Sequence, residues 1–195
     1  MSEPKRATSI GLQAIERWYR REIAGWPDLE NRSCVLVDGD SGVAKTHVLA
    51  PVIAKVIGAM KIISLDDHFL KVGGVRMTGS KLLYWEDLNY SDLAAEISAC
   101  SGKVVIEGLC MLKVMEKLHL PHDYHIFVRL KQSAIHWIPG TWEISPRAKE
   151  PVDSNWKSLF RYYRERKPYT VCSRRLEFDQ DRFLRLQQEE GGSLL

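Results

Sequence analysis

The chain has 195 residues, 45% of them hydrophobic and 27% charged, with a formal charge of +3. That length suits a single compact domain spanning residues 1–195, and the composition is that of an ordinary globule. The charge is too small to imply nucleic acid by itself, and no apolar run approaches the roughly 18 residues of a membrane helix, so neither partner is expected. The start, Met1-Ser2-Glu3-Pro4-Lys5-Arg6, has no apolar stretch behind it, so no leader peptide is expected. Cys34, Cys100, Cys110 and Cys172 form no C-x-x-C pair and read as reduced thiols of a cytoplasmic protein.

Residues 8–24 carry helical spacing. Ile10, Ala14, Trp18 and Ile23 fall near one face, with Arg17, Arg20, Arg21 and Glu22 elsewhere. This helix is expected to stop at Gly25, ahead of Pro27, and to pack on a sheet. A strand over 33–38, with the apolar run Cys34-Val35-Leu36-Val37, leads into Gly39-Asp40-Ser41-Gly42-Val43-Ala44-Lys45-Thr46. Behind it, Val48, Leu49, Val52, Ile53, Val56 and Ile57 recur at helical intervals. Strand, glycine loop and a helix opening with Lys-Thr form the layout of a P-loop. Glycines let the backbone turn its N–H groups onto an anion, and the helix N-terminus adds positive potential. Gly39 through Thr46, with His47, are therefore the candidate ATP-binding residues. Lys45 is expected to reach the β- and γ-phosphates, and the Thr46 hydroxyl to ligate Mg²⁺. Ala44 stands where the pattern has glycine, and a methyl group there either crowds the phosphates or imposes a strained backbone angle. The loop resembles that of the minichromosome-maintenance helicases, which also reads Gly-x-x-Gly-x-Ala-Lys. A chance glycine turn and a loop that has lost turnover are the competing readings. Pro51 is tolerable only near a helix start, and Gly58 is expected to end the helix.

The strand Lys61-Ile62-Ile63-Ser64-Leu65 runs into Asp66-Asp67-His68-Phe69. Two carboxylates at the carboxyl end of a strand sit where open α/β sheets place their chemistry. One can accept a proton from an attacking hydroxyl while the other orients it or meets a metal through water; a helix cap plus a surface Asp is the plainer alternative. His68 is not taken as a metal ligand. Residues 70–90 read as a mobile loop ending in Tyr84-Trp85-Glu86-Asp87-Leu88-Asn89-Tyr90. Aromatics beside carboxylates suit a planar, hydroxylated ligand, or equally a surface loop anchored by Trp85. Ser91 is expected to cap a helix ending at Ser101-Gly102. The next run, Lys103-Val104-Val105-Ile106-Glu107-Gly108-Leu109, does not alternate and reads as a buried parallel strand whose apolar stretch Glu107 ends. Glu107 at its end can hold Mg²⁺ through the ion's water shell or polarise a water, and a buried Glu without a partner is costly.

Met111–Leu120 reads as a helix, 124–130 as a strand, and Gln132 to Trp137 as the start of another helix stopped by Pro139-Gly140. Strands alternating with helices predict an α/β fold, a P-loop NTPase-type parallel sheet with helices on both faces. Residues 33–130 form its core. Residues 131–195 supply a lid and a C-terminal segment, with a loop over 140–153 and a basic helix over 154–167. The stretch from Arg161 to Arg175 is rich in Arg and Lys, broken by Glu165. In a phosphoryl-transfer enzyme such arginines close over the phosphates; a solvated helix face is the alternative.

The order P-loop, then Ser64-Leu65-Asp66-Asp67-His68-Phe69, then Val105-Ile106-Glu107-Gly108, then His125-Ile126-Phe127-Val128 resembles the uridine kinase group of P-loop kinases. That group includes phosphoribulokinase, pantothenate kinase and nicotinamide riboside kinase. The resemblance covers residues 33 to about 130. It implies Asp66 as the base for the acceptor hydroxyl, with Asp67 in support. It implies Glu107 as a metal-associated carboxylate alongside Thr46 and Asp66. Tyr84, Trp85 and Glu86 resemble the group's acidic and aromatic acceptor stretch, and with His68 and Phe69 they complete the candidate substrate residues. His68-Phe69 stands where the group has Phe-Tyr. The group's arginine-rich helix after the 124–130 strand is here Ser133-Ala134-Ile135-His136-Trp137-Ile138, so Arg161 and Arg164 become the lid candidates. The expected function is transfer of the γ-phosphoryl group of ATP, with Mg²⁺, to a hydroxyl of a small metabolite. A nucleoside-like acceptor comes first, with pantothenate-, glycerate- or sugar-like alcohols as alternatives, and a homodimer is left open. The rival readings are a nucleotide-binding regulator or ATPase without an acceptor, and a basic nucleic-acid module over 161–175.

Overall fold

In the computed structural model, the described residues are 5–40, 43–72, 75–76, 84–131, 142, 144–145, 147–149, 154–179 and 181. The elements in chain order are α1 (Lys5–Ile23), β1 (Cys34–Gly39), a wide helical turn over Lys45–Leu49 continuing into α2 (Ala50–Ile57), and β2 (Lys61–Ser64). A tight turn over Leu65–His68 and a short antiparallel hairpin of β3 (Lys71–Val72) and β4 (Val75–Arg76) come next. After a turn over Tyr84–Glu86 come α3 (Tyr90–Ser98), β5 (Val104–Glu107), α4 (Met111–Leu118), β6 (Tyr124–Leu130), α5 (Ser154–Arg166), α6 (Pro168–Val171) and β7 (Arg174–Phe178). The helix expected over 132–137 lies outside the described residues. Among the described residues no helix is long and apolar enough to cross a membrane.

Five strands pair in the order β2-β5-β1-β6-β7, all parallel. The apolar runs explain the burial. Val35 and Val37 of β1, Val105 of β5 and Ile126 and Val128 of β6 face one core, packed by α1 and α2 through Tyr19, Ile23, Val52, Ile53 and Ile57. Leu36, Ile106 and Phe127 face the other, packed by α3, α4, α5 and α6 through Leu93, Met111, Val114, Leu159, Tyr162 and Tyr169. Period-two alternation thus fills both faces of each central strand, as a sheet sandwiched between helices requires. The chain leaves β1 to one side for β2, returns to β5, then crosses to β6 on the other side. The carboxyl end of β1 therefore opens at a topological switch point, where such sheets form a crevice.

Several local expectations shift. α1 contributes Tyr19 as well as Ala14 and Ile23 to the interior. Gly58 does end α2, at φ 68. α3 is capped by Asn89 rather than Ser91, because Asn89 Oδ1 accepts the Asp92 N–H (3.3 Å), and it stops at Ser98. Tyr84 and Trp85 are not on a loose loop. Both are buried, and the Lys113 ammonium lies over the Trp85 ring at 4.7 Å. β7 is an element that the sequence reading did not anticipate. Its pattern, Arg174-Arg175-Leu176-Glu177-Phe178, alternates, and Leu176 and Phe178 turn inward.

At the end of β1 the backbone comes very close to β6. Asp40 N–H donates to the Val128 carbonyl (2.8 Å). A Cβ on Gly39, at φ 132, would lie 1.8 Å from the Val128 oxygen, so glycine is required there both by space and by backbone angle. Gly39→Ala is expected to destabilise the fold by at least about 3 kcal/mol, read as a lower urea midpoint at unchanged slope; a midpoint equal to wild type would refute the close approach.

Candidate functional site

The loop after β1 is held from three sides. Ser41 and Gly42 lie outside the described residues. Beyond them, the Val43 carbonyl accepts the buried Tyr19 hydroxyl of α1 at 2.6 Å. Ala44 then takes the left-handed conformation, φ 54 and ψ 36, which glycine adopts freely and an L-residue adopts at a cost of about 1–2 kcal/mol. The strained angle, one of two consequences expected of an alanine here, is what the backbone shows. The helix then opens wide: the N–H groups of both Val48 and Leu49 reach the Ala44 carbonyl at 3.1 Å. Such π-type turns recur at functional sites.

Lys45, first in that turn, is buried. Its ammonium donates to the carbonyls of Gly39 (3.0 Å) and Asp40 (2.6 Å). Burial pushes its pKa down, while the nearby carboxylates Glu107, Asp38, Asp40 and Asp66 push it back up. Thr46 and His47, both exposed, follow it on the helix.

Glu107, 2% exposed at the end of β5, is not left without partners. Its Oε1 accepts the Thr46 hydroxyl at 2.9 Å and also the Ser64 hydroxyl. Ser64 was missed in the sequence. It ends β2, and the β2–β5 register sets it opposite Glu107; a hydroxyl ending one strand beside a carboxylate ending the next was the available signal. Ala44, Lys45, Thr46, His47, Asp66, Glu107, Gly108 and Leu109 line one pocket of about 220 Å³.

Asp66 enters the pocket from the turn after β2. It is exposed, and its Oδ1 accepts the Tyr84 hydroxyl at 2.9 Å. Asp67 beside it is exposed and is not among the residues lining that pocket. His68 turns into the protein: Nε2 lies 2.6 Å from Glu96 of α3, whose other oxygen meets Lys61 Nζ at 2.6 Å. Lys61, and then His68, hold the Glu96 carboxyl below the usual range against partial burial. Phe69 is buried with its ring edge-on to Tyr84 at 4.9 Å. Of the candidate substrate residues, then, Asp66 and Tyr84 meet, Phe69 packs behind them, and Glu86 is exposed. Trp85 and His68 are engaged by Lys113 and Glu96. Arg161 and Arg164 line a different hollow of about 480 Å³ with Phe160 and Glu165. Arg164 lies over the Phe160 ring at 5.5 Å.

A second group lies beneath the loop; of its members the sequence reading made only Asp40 a candidate, as a phosphate contact, and its side chain is instead turned inside. Asp38 and Asp40 are fully buried. Asp38 accepts the Gly39 N–H (2.8 Å) and the Tyr162 hydroxyl (2.6 Å), with His125 Nε2 at 3.4 Å. Asp40 accepts the Leu130 N–H (2.6 Å) and the Tyr163 hydroxyl (2.5 Å). The Asp40 side chain thus supports the loop from within, and two neighbouring tyrosines of α5 reach its two aspartates. Burial, with those carboxylates adding, raises both phenols well above their ordinary pKa, so they remain donors.

Compared with known proteins, the chain matches no family model and no curated protein. The class that the fold itself defines is an α/β protein with a five-stranded all-parallel sheet and helices.

Ala44→Gly removes the left-handed strain but adds unfolded-chain entropy, so a net gain of about 0.5–1 kcal/mol is expected. The thermal midpoint should rise by a few degrees; a fall would show that the alanine methyl contributes packing that outweighs its backbone strain.

Proposed function

We propose that this chain is a P-loop phosphotransferase that moves the γ-phosphoryl group of ATP to a hydroxyl of a small metabolite, with a nucleoside-like acceptor first. One observation carries the reading: Lys45, Thr46, Glu107 and Asp66, from the helix after β1 and the ends of β5 and β2, line a single pocket. In this reading Lys45 exchanges its loop carbonyls for phosphate oxygens. Thr46 and Glu107, already joined through a hydrogen bond, would supply hard oxygen donors for Mg²⁺, and Asp66 would meet the ion through water. Among the described residues no cluster of three His, Cys, Asp or Glu is placed to cage a metal, and one or two carboxylates with a hydroxyl suit an ion that keeps most of its waters and takes the rest of its ligands from phosphate. The bound ion supplies charge neutralisation for the transferring group. Asp66 takes the acceptor's proton as the acceptor oxygen bonds the γ-phosphorus and the bridging oxygen departs with ADP. Arg161 and Arg164, on α5, are the proposed lid residues.

The test is ATP consumption with Mg²⁺ in the presence of uridine, adenosine, pantothenate, D-glycerate or ribose, each supplied separately. Lys45→Ala is expected to abolish the acceptor-dependent signal. Asp66→Asn is expected to lower turnover by roughly 10²–10⁴-fold with ATP binding kept. Unchanged turnover would remove Asp66 from the role of base; tight MgATP binding with no acceptor-dependent turnover would make the chain a nucleotide-binding regulator instead.

A further inference from the structure

The turn over Tyr84–Glu86 lies between the Asp66 carboxylate and α5. Tyr84 is held there at three points. Its N–H donates to Ser158 Oγ of α5 (3.0 Å), its ring meets Phe69 edge-on, and its hydroxyl donates to Asp66 Oδ1 (2.9 Å). The ring contacts and burial need only a phenyl group. The hydroxyl has a different consequence. It takes a rigid donor, 5% exposed, to a carboxylate that is itself exposed on a four-residue turn. An Asp on such a turn has rotamer freedom to lose, whereas a hydrogen bond to an ionised oxygen is among the stronger ones and directional. Burial, and then Asp66 itself, keep the phenol protonated well beyond its ordinary range, so it stays a donor.

We propose that Tyr84 is a positioning residue: its hydroxyl fixes the Asp66 carboxylate in the orientation that receives the acceptor's proton, and Ser158 fixes Tyr84. This rests on the phosphotransferase reading and adds to it a tie between the base and α5. α5 holds the loop aspartates through Tyr162 and Tyr163 and the base through Ser158 and Tyr84. The same helix therefore sets the spacing between the phosphate side and the acceptor side of the pocket.

The experiment is a double-mutant cycle in the full chain, using the compound of the five-member panel that drives ATP consumption fastest. Tyr84→Phe keeps the ring and is expected to lower kcat about tenfold, the scale of one hydrogen bond to a charged group. KM for MgATP should stay at its wild-type value, and the thermal midpoint should fall by no more than the few degrees one hydrogen bond is worth. In the Asp66→Asn background the same change should have no further effect, because the oriented carboxylate is already gone. Ser158→Ala, which leaves Tyr84 whole, is expected to lower kcat in the same direction. A wild-type kcat in Tyr84→Phe, or a loss that multiplies with that of Asp66→Asn, would overturn the positioning role while leaving the phosphotransferase reading intact. A wild-type chain that no panel compound stimulates would bring down both.

Discussion

A buried lysine ammonium is the constraint around which this molecule is arranged. Taking such a charge out of water is expensive unless opposite charges and hydrogen bonds compensate. Lys45 has both: two carbonyls at the end of β1 accept from it, and Asp38, Asp40, Asp66 and Glu107 surround it with negative charge. Each of those carboxylates accepts a hydrogen bond from a neutral side-chain hydroxyl: Tyr162 on Asp38, Tyr163 on Asp40, Tyr84 on Asp66, and Thr46 and Ser64 on Glu107. Hydroxyl donors satisfy carboxylate lone pairs without adding positive charge. The negative field at the ammonium is preserved, and among the described residues the arrangement remains one cation among several anions. A pocket so balanced favours further positive charge, which a divalent cation would provide in the proposed reaction.

The sheet explains why these groups converge. Parallel strands bring their carboxyl ends to one edge, and the order β2-β5-β1-β6-β7 sets the ends of β2, β5 and β1 side by side. Ser64, Glu107 and Asp38 are therefore neighbours because of register, not sequence. Gly39 permits the last step, since only a residue without a side chain lets β1 press against the Val128 carbonyl and carry the loop over β6. α1 completes the support from the opposite face through Tyr19 and Val43.

What the sequence made legible were the features whose signal is local. The apolar-rich runs of β1, β5 and β6 read as strands of a parallel sheet, and their bounds shift by at most two residues. Lys45-Thr46 after a glycine loop pointed to the pocket, and Ala44 to a strained angle. What was not legible depends on distant partners. His68 looked like an acceptor contact, because nothing near it in the chain announces Glu96 and Lys61. Tyr162 and Tyr163 sat within a run noticed for its arginines. β7 was hidden because at a sheet edge every other residue is polar, so Arg174, Arg175 and Glu177 read as a charged segment although Leu176 and Phe178 alternate with them.

The hydrogen bonds from Tyr162 to Asp38 and from Tyr163 to Asp40 join residues 124 and 123 positions apart. Contacts so far apart carry a large loop-closure entropy and form late in folding. During synthesis the loop after β1 emerges long before α5 exists, and until then Asp38 and Asp40 lack the hydroxyls that allow them to be buried. The nascent chain therefore passes through a stage with four of the five sheet strands made and two future interior carboxylates still in water. Completion of the loop becomes a checkpoint that only a chain extended through α5 can pass.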